Sequence, residues 1–140
     1  MNNCKITLFI NKLSEDTLNN IISWNRLTNY ENLQPSSNTA IFYMLFQNEY
    51  RRIDYPSSFY AFVGNGAVFV INEYSESGRD GSIISGYKIY LQDDFKNKVF
   101  PLSCPSSLIH QLLNSILSYL SVQEADAESF IDNYLAKPSS

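Results

Sequence analysis

The chain has 140 residues, 44% of them hydrophobic, and a formal net charge of −4. A chain of that length buries about 68% of its unfolded surface, so a packed core is expected and wholesale disorder is excluded. Its Lys and Arg residues are scattered rather than gathered into the basic face that phosphate binding requires, and its longest apolar run, Ala40–Phe46, falls far short of the roughly 18 residues of a membrane span, so neither nucleic acid nor membrane is an expected partner.

Taken in order, Cys4–Ile10 alternates loosely and reads as a strand, with Lys5 and the lack of a cleavage site arguing against a signal peptide. Ser14 is a good N-cap, followed by Glu15 and Asp16 where a helix dipole favours negative charge. The spacing predicts a helix from there to about Asn25 or Leu27, with Leu18, Ile21 and Ile22 on one face and Trp24 at its rim. Thr28–Asn38 is polar and reads as a loop. Ala40–Phe46 is a buried strand or part of a helix, its aromatic and β-branched content favouring a strand. Arg51 and Arg52, with Glu49 and Asp54 nearby, read as a solvated or salt-bridged edge.

Residues 58–91 read as three antiparallel strands. Asn65-Gly66 is the expected turn between the first two, since both central positions of a tight hairpin favour φ > 0. Ser75–Gly81 is the expected loop to the third. Both faces of the first two strands are largely apolar, which places the hairpin centrally, covered by helices on one side and partly on the other. Gln92-Asp93-Asp94 signals a turn, and Asn97–Leu102 reads as a short edge strand. The apolar positions of residues 108–120 fill half a helical wheel and predict a helix lying flat on the sheet. A further helix is expected from Glu124 to about Ala136, with Ala127, Phe130, Ile131, Tyr134 and Leu135 inward.

No repeat or linker divides residues 1–140, so one α+β domain is expected. It comprises an antiparallel sheet of about four to six strands around the 58–91 meander, a long amphipathic C-terminal helix on it, one helix near the N-terminus and one at the C-terminus.

Chemistry-bearing residues are sparse. Cys4 and Cys104 have no Cys-x-x-Cys spacing, which points to reduced thiols in the cytoplasm. Cys104 stands at the start of a helix, where the dipole would lower a thiol pKa, but the sole histidine, His110, is out of reach on the same helix. One histidine argues against zinc. Arg79-Asp80-Gly81 is explained as a turn, and no Gly-rich loop precedes a helix, so no cofactor is expected.

The acidic residues are the candidates for recognition. Glu73, Glu76 and Asp80 with Tyr74 form an expected loop-end group, with Asp93 and Asp94 at the neighbouring turn. Glu124, Glu128 and Asp132 recur at intervals of four, a like-charged stripe whose i,i+4 pairs cost about 0.2–0.5 kcal/mol each. A basic protein partner would offset either group.

The expected function is a cytosolic, non-catalytic protein-binding module that inhibits a basic protein stoichiometrically. In size, acidity and lack of a catalytic motif it is similar in type to bacterial toxin-immunity proteins. The heavy use of Asn and Ser leans towards an AT-rich bacterial or phage genome. The alternatives are a secretion chaperone for an effector protein, and a small-molecule-binding or enzymatic α+β domain with a tyrosine-lined pocket.

Overall fold

Ile6, Ile10, Leu13 and Thr17 are spaced by four, three and four residues, the pattern of one helical face. In the computed structural model, which describes residues 3–27, 52–76, 83–96 and 98–138, they form the buried side of helix α1, Asn3–Leu18. The strand expected over residues 4–10 is therefore helical, and Ser14 lies buried inside the helix rather than capping it. Leu8, which a strand would place beside Ile6 and Ile10, is 70% exposed. The helix ends at Asn20, whose φ of 60° is left-handed. The Asn20 amide donates to the Thr17 carbonyl and the Ile21 amide to that of Asp16, the paired bonds of a Schellman stop.

That stop turns the chain into strand β1, Trp24–Arg26. Trp24 is thus in a strand, and at 2% exposed it is a core residue rather than a rim. Its indole N–H donates to the Thr17 hydroxyl at 2.8 Å, which donates in turn to the Leu13 carbonyl.

The remaining strands are β2 (Arg52–Ile53), β3 (Phe59–Val63), β4 (Gly66–Glu76), β5 (Ile83–Asp93) and β6 (Lys98–Leu102), all antiparallel. They form a six-stranded sheet in the order β1-β3-β4-β5-β6, with β2 pairing to β4 beyond the end of β3. The fold is α+β, with the meander at the centre of the sheet. Pro101 lies within β6, at the sheet edge where its missing N–H costs no ladder bond.

The β3–β4 turn differs from expectation by one residue. Val63 pairs with Gly66, leaving Gly64 and Asn65 as the central pair, with Gly64 at φ 53°. Glycine at the first central position is the requirement of a II′ turn. Gly66 belongs to β4, and its glycine is needed for a different reason: a Cβ there would run into the backbone carbonyl of Gln92 on β5.

Cross-strand register separates two faces. Phe59, Ala61, Val68, Val70 and Ile89 lie on the first, buried with Trp24 and the inner side of α1. Ala67, Phe69, Ile71 and Tyr90 lie on the second and are buried with Leu27 and Ile53.

Helix α2 runs unbroken from Ser106 to Leu135. Its first half places Ile109, Leu112, Leu113 and Ile116 in the first-face core, as the half-apolar wheel predicts. The two C-terminal helices expected from the sequence are one, because no Gly or Pro interrupts residues 121–123. Every described residue after Leu120 is exposed. The inward face expected for Ala127, Phe130, Ile131, Tyr134 and Leu135 is therefore on the surface. Ala40–Phe46 and Arg79-Asp80-Gly81 lie outside the described residues.

Candidate functional site

The acidic residues separate by what each already bonds. Glu73 is in β4 rather than in a loop, and is 7% exposed. Its parity with Ile71 puts it on the second face, where one carboxylate oxygen accepts the Tyr90 hydroxyl and the other sits 3.2 Å from the Lys88 ammonium. These bonds explain how a carboxylate is tolerated there. Tyr74 points to the opposite side and is partly exposed. Glu76 is the last residue of β4, paired with Ile83, so the strand runs past the expected loop start at Ser75. Of the expected group, Glu73 is buried and Tyr74 is exposed, while the Glu76 side chain and Asp80 lie outside the described residues.

Asp93 and Asp94 shape the β5–β6 turn. The Asp93 carboxylate accepts the amides of Phe95 and Lys96 at 3.0 and 3.3 Å, an Asx arrangement. The Asp94 carboxylate accepts the Gln92 side-chain amide at 2.8 Å.

Along α2, Glu124 is held by Arg26 at 3.3 Å. Arg26 also donates to the Pro56 carbonyl and lies 5.6 Å from the centre of the Phe59 ring. One arginine thus joins β1, the turn before β3 and α2. The like-charged stripe expected at Glu124, Glu128 and Asp132 is therefore offset from within the chain at its first member. Asp126, Glu128 and Asp132 have no ion-pair partner among the described residues.

Beside these carboxylates, the second half of α2 carries the feature that spacing alone missed. Ala127, Phe130, Ile131 and Tyr134 fall at i, i+3, i+4 and i+7, the anchor spacing of a helix that docks by one face. Phe130 and Leu135 are each 73% exposed, and Ile131 and Tyr134 are exposed with them. At about 100° per residue this stripe continues the line of Leu112, Leu113, Ile116 and Leu120. The side that packs on the sheet thus runs on past it, uncovered by any described residue. Glu128 and Asp132 border the stripe on one side and Asp126 on the other. A sequence shows where a stripe is but not whether the fold covers it, so the inward assignment was natural and wrong.

Cys104 is half-buried, and burial pushes its thiol pKa up rather than down. The helix-start activation expected for it is outweighed, and His110 is exposed on α2. Among the described residues no group of three or more His, Cys, Asp or Glu is arranged to hold a metal ion. None of the described helices is long and apolar enough to cross a membrane. A groove of about 430 Å³ opens between β5, β6 and the start of α2, lined by Tyr87, Tyr90, Leu102, Cys104 and Ile109 among others.

Comparison of the chain with protein-family models, with curated proteins and with solved structures finds no match.

Proposed function

We propose that this chain is a non-catalytic protein-binding module that engages a basic protein and inhibits it stoichiometrically. The observation that carries this reading is the second half of α2, where an exposed apolar stripe lies between carboxylates that have no ion-pair partner among the described residues. Exposed aromatic and aliphatic side chains rimmed by charge are the usual anatomy of a protein interface. The net charge of −4 favours a basic partner over an acidic one. We assign the module to the cytoplasm on its two free thiols, Cys4 and Cys104.

The test is recovery of the tagged full-length chain from its source cells after crosslinking. An equimolar complex with one basic protein is expected, and adding purified chain is expected to suppress that protein's activity in proportion to the amount added. Recovery with a protein whose activity is intact would favour an escort for an effector. Absence of any stoichiometric protein would overturn the reading.

A second reading rests on the groove beside β5, which Tyr87 lines together with Cys104 and Ile109 near the start of α2. It makes the chain a small-molecule-binding or enzymatic domain, and saturable binding of an aromatic metabolite at Tyr87 would favour it.

A further inference from the structure

Resting on the protein-binding reading, the geometry points to how that partner is held: we infer that the second half of α2 enters an apolar groove of the partner whose rims carry Lys and Arg.

Width argues for a groove. A helix pairing with a single neighbour needs only a narrow seam, two positions in seven. Here Phe130, Tyr134, Ala127, Ile131 and Leu135 spread over about 140° of the wheel at 100° per residue, wide enough to be covered by two walls. Phe130 and Tyr134 stand one turn apart as the large anchors, and Ala127, one turn before Phe130, lets a wall approach the backbone. Interface energy concentrates in aromatic side chains of this kind.

Charge identifies the rims. Glu128 and Asp132 follow one border of the stripe and Asp126 the other, while Lys137 is the one basic residue among those described after Ser121. Docking brings these carboxylates against both walls. Acidic walls would repel them, and neutral walls would leave them desolvated without a partner. Basic walls satisfy both borders at once.

The same carboxylates argue against a second copy as the occupant. An antiparallel copy centred on Phe130 places Glu128 beside Asp132 of the other chain, and a parallel copy places each acid beside its own equivalent. Either arrangement stacks like charges along the seam. Glu124 lies outside this conflict because it is already paired with Arg26. That ion pair marks the root of the docking segment, tied to the body through β1, while the residues beyond it are available.

The experiment uses the full chain and two designed helical hairpins as probes. Both present the same leucine-lined groove, one rimmed by lysines and the other by glutamates. At low ionic strength the lysine-rimmed hairpin is expected to bind at least about tenfold more tightly, the preference shrinking as salt is added. Glu128→Lys with Asp132→Lys should reverse the order. Phe130→Ala with Tyr134→Ala should abolish binding to both, with an unchanged circular dichroism spectrum showing that exposed positions were altered in a folded chain. Equal binding of the two hairpins, or binding of neither, overturns the inference. So does sedimentation showing the parent chain to be a dimer that the Phe130→Ala, Tyr134→Ala variant disrupts. The protein-binding reading itself survives those results if the source-cell complex still forms through another surface, and fails only if no such complex exists.

Discussion

Single atoms decide several positions in this chain. Gly66 and Gly64 are two residues apart and are constrained for unrelated reasons. A side chain at Gly66 meets the Gln92 carbonyl, so Gly66→Val is expected to destabilise by at least about 1–3 kcal/mol through forced strand separation. At Gly64 a Cβ would meet nothing within 4 Å, and the constraint is its φ of 53° alone. There Gly64→Asn should cost less than Gly64→Val, which is expected to lose about 1–2 kcal/mol more, since a β-branched residue resists φ > 0 most strongly. Denaturant midpoints of the three variants check the ordering, and equal loss at both sites would contradict it. The Thr17 hydroxyl likewise serves two groups, accepting from Trp24 and donating to Leu13. Thr17→Val strands the buried indole N–H and should cost about 1–3 kcal/mol. With one tryptophan in the chain, intrinsic fluorescence reports the transition directly. Cys104 gives a prediction with a definite pH sense. Its raised pKa keeps it protonated to higher pH than an ordinary thiol, so alkylation near neutral pH should be slower at Cys104 than at exposed Cys4. Faster modification of Cys104, read by peptide mass spectrometry, would reinstate an activated helix-start thiol.

At the scale of elements, what the sequence revealed depended on whether neighbours had to be known. The meander was legible because alternation over β3, β4 and β5 is a local pattern with one periodicity, and its two faces appear as read. The N-terminal segment was not, because Ile6 and Ile10 fit a helix at i,i+4 and, with Leu8, also fit a strand at every second residue. Only the exposure of Leu8 separates these. The signal that was available is Asn19-Asn20, a left-handed stop that marks where a helix ends. Helix α2 presents the reverse case: the apolar periodicity of each half was read correctly, while no described residue covers the second half. The two halves should therefore behave differently. Leu112→Ala, fully buried against the sheet, is expected to cost about 2–5 kcal/mol. Phe130→Ala, on the exposed stripe, should change stability by no more than about 0.5 kcal/mol. Amide exchange should be faster beyond Glu124 than over residues 109–120, because a helical segment of this length without packing is marginal. Equal protection along α2 would mean that something covers the second half.

For the whole molecule, one helix performs two tasks whose demands conflict. Its first half must be apolar towards the sheet to hold α1 and the meander together. Its second half repeats that polarity in the open, where the same stripe invites association with any apolar surface, a second copy included. What restrains self-association is charge: the carboxylates beside the stripe meet their own kind in any symmetric pair, and the chain as a whole repels itself through its net charge of −4. This restraint has a pH limit. Near the sequence isoelectric point of about 4.8 the net repulsion vanishes while the exposed apolar area is unchanged. The chain is therefore expected to sediment as a monomer at neutral pH and low concentration, and to associate reversibly as the pH falls towards that point. Phe130→Ala with Tyr134→Ala should remain monomeric over the same range, because it keeps the charge and loses the stripe. Glu128→Lys with Asp132→Lys alters the net charge by +4, from −4 to zero, and should associate at neutral pH, with no acid needed. Sedimentation velocity across pH, with circular dichroism to confirm that each sample is folded, separates these cases. Association of the parent and the double-alanine variant to the same extent would show that another surface is responsible, and would remove the second half of α2 from the account of how this molecule meets other proteins.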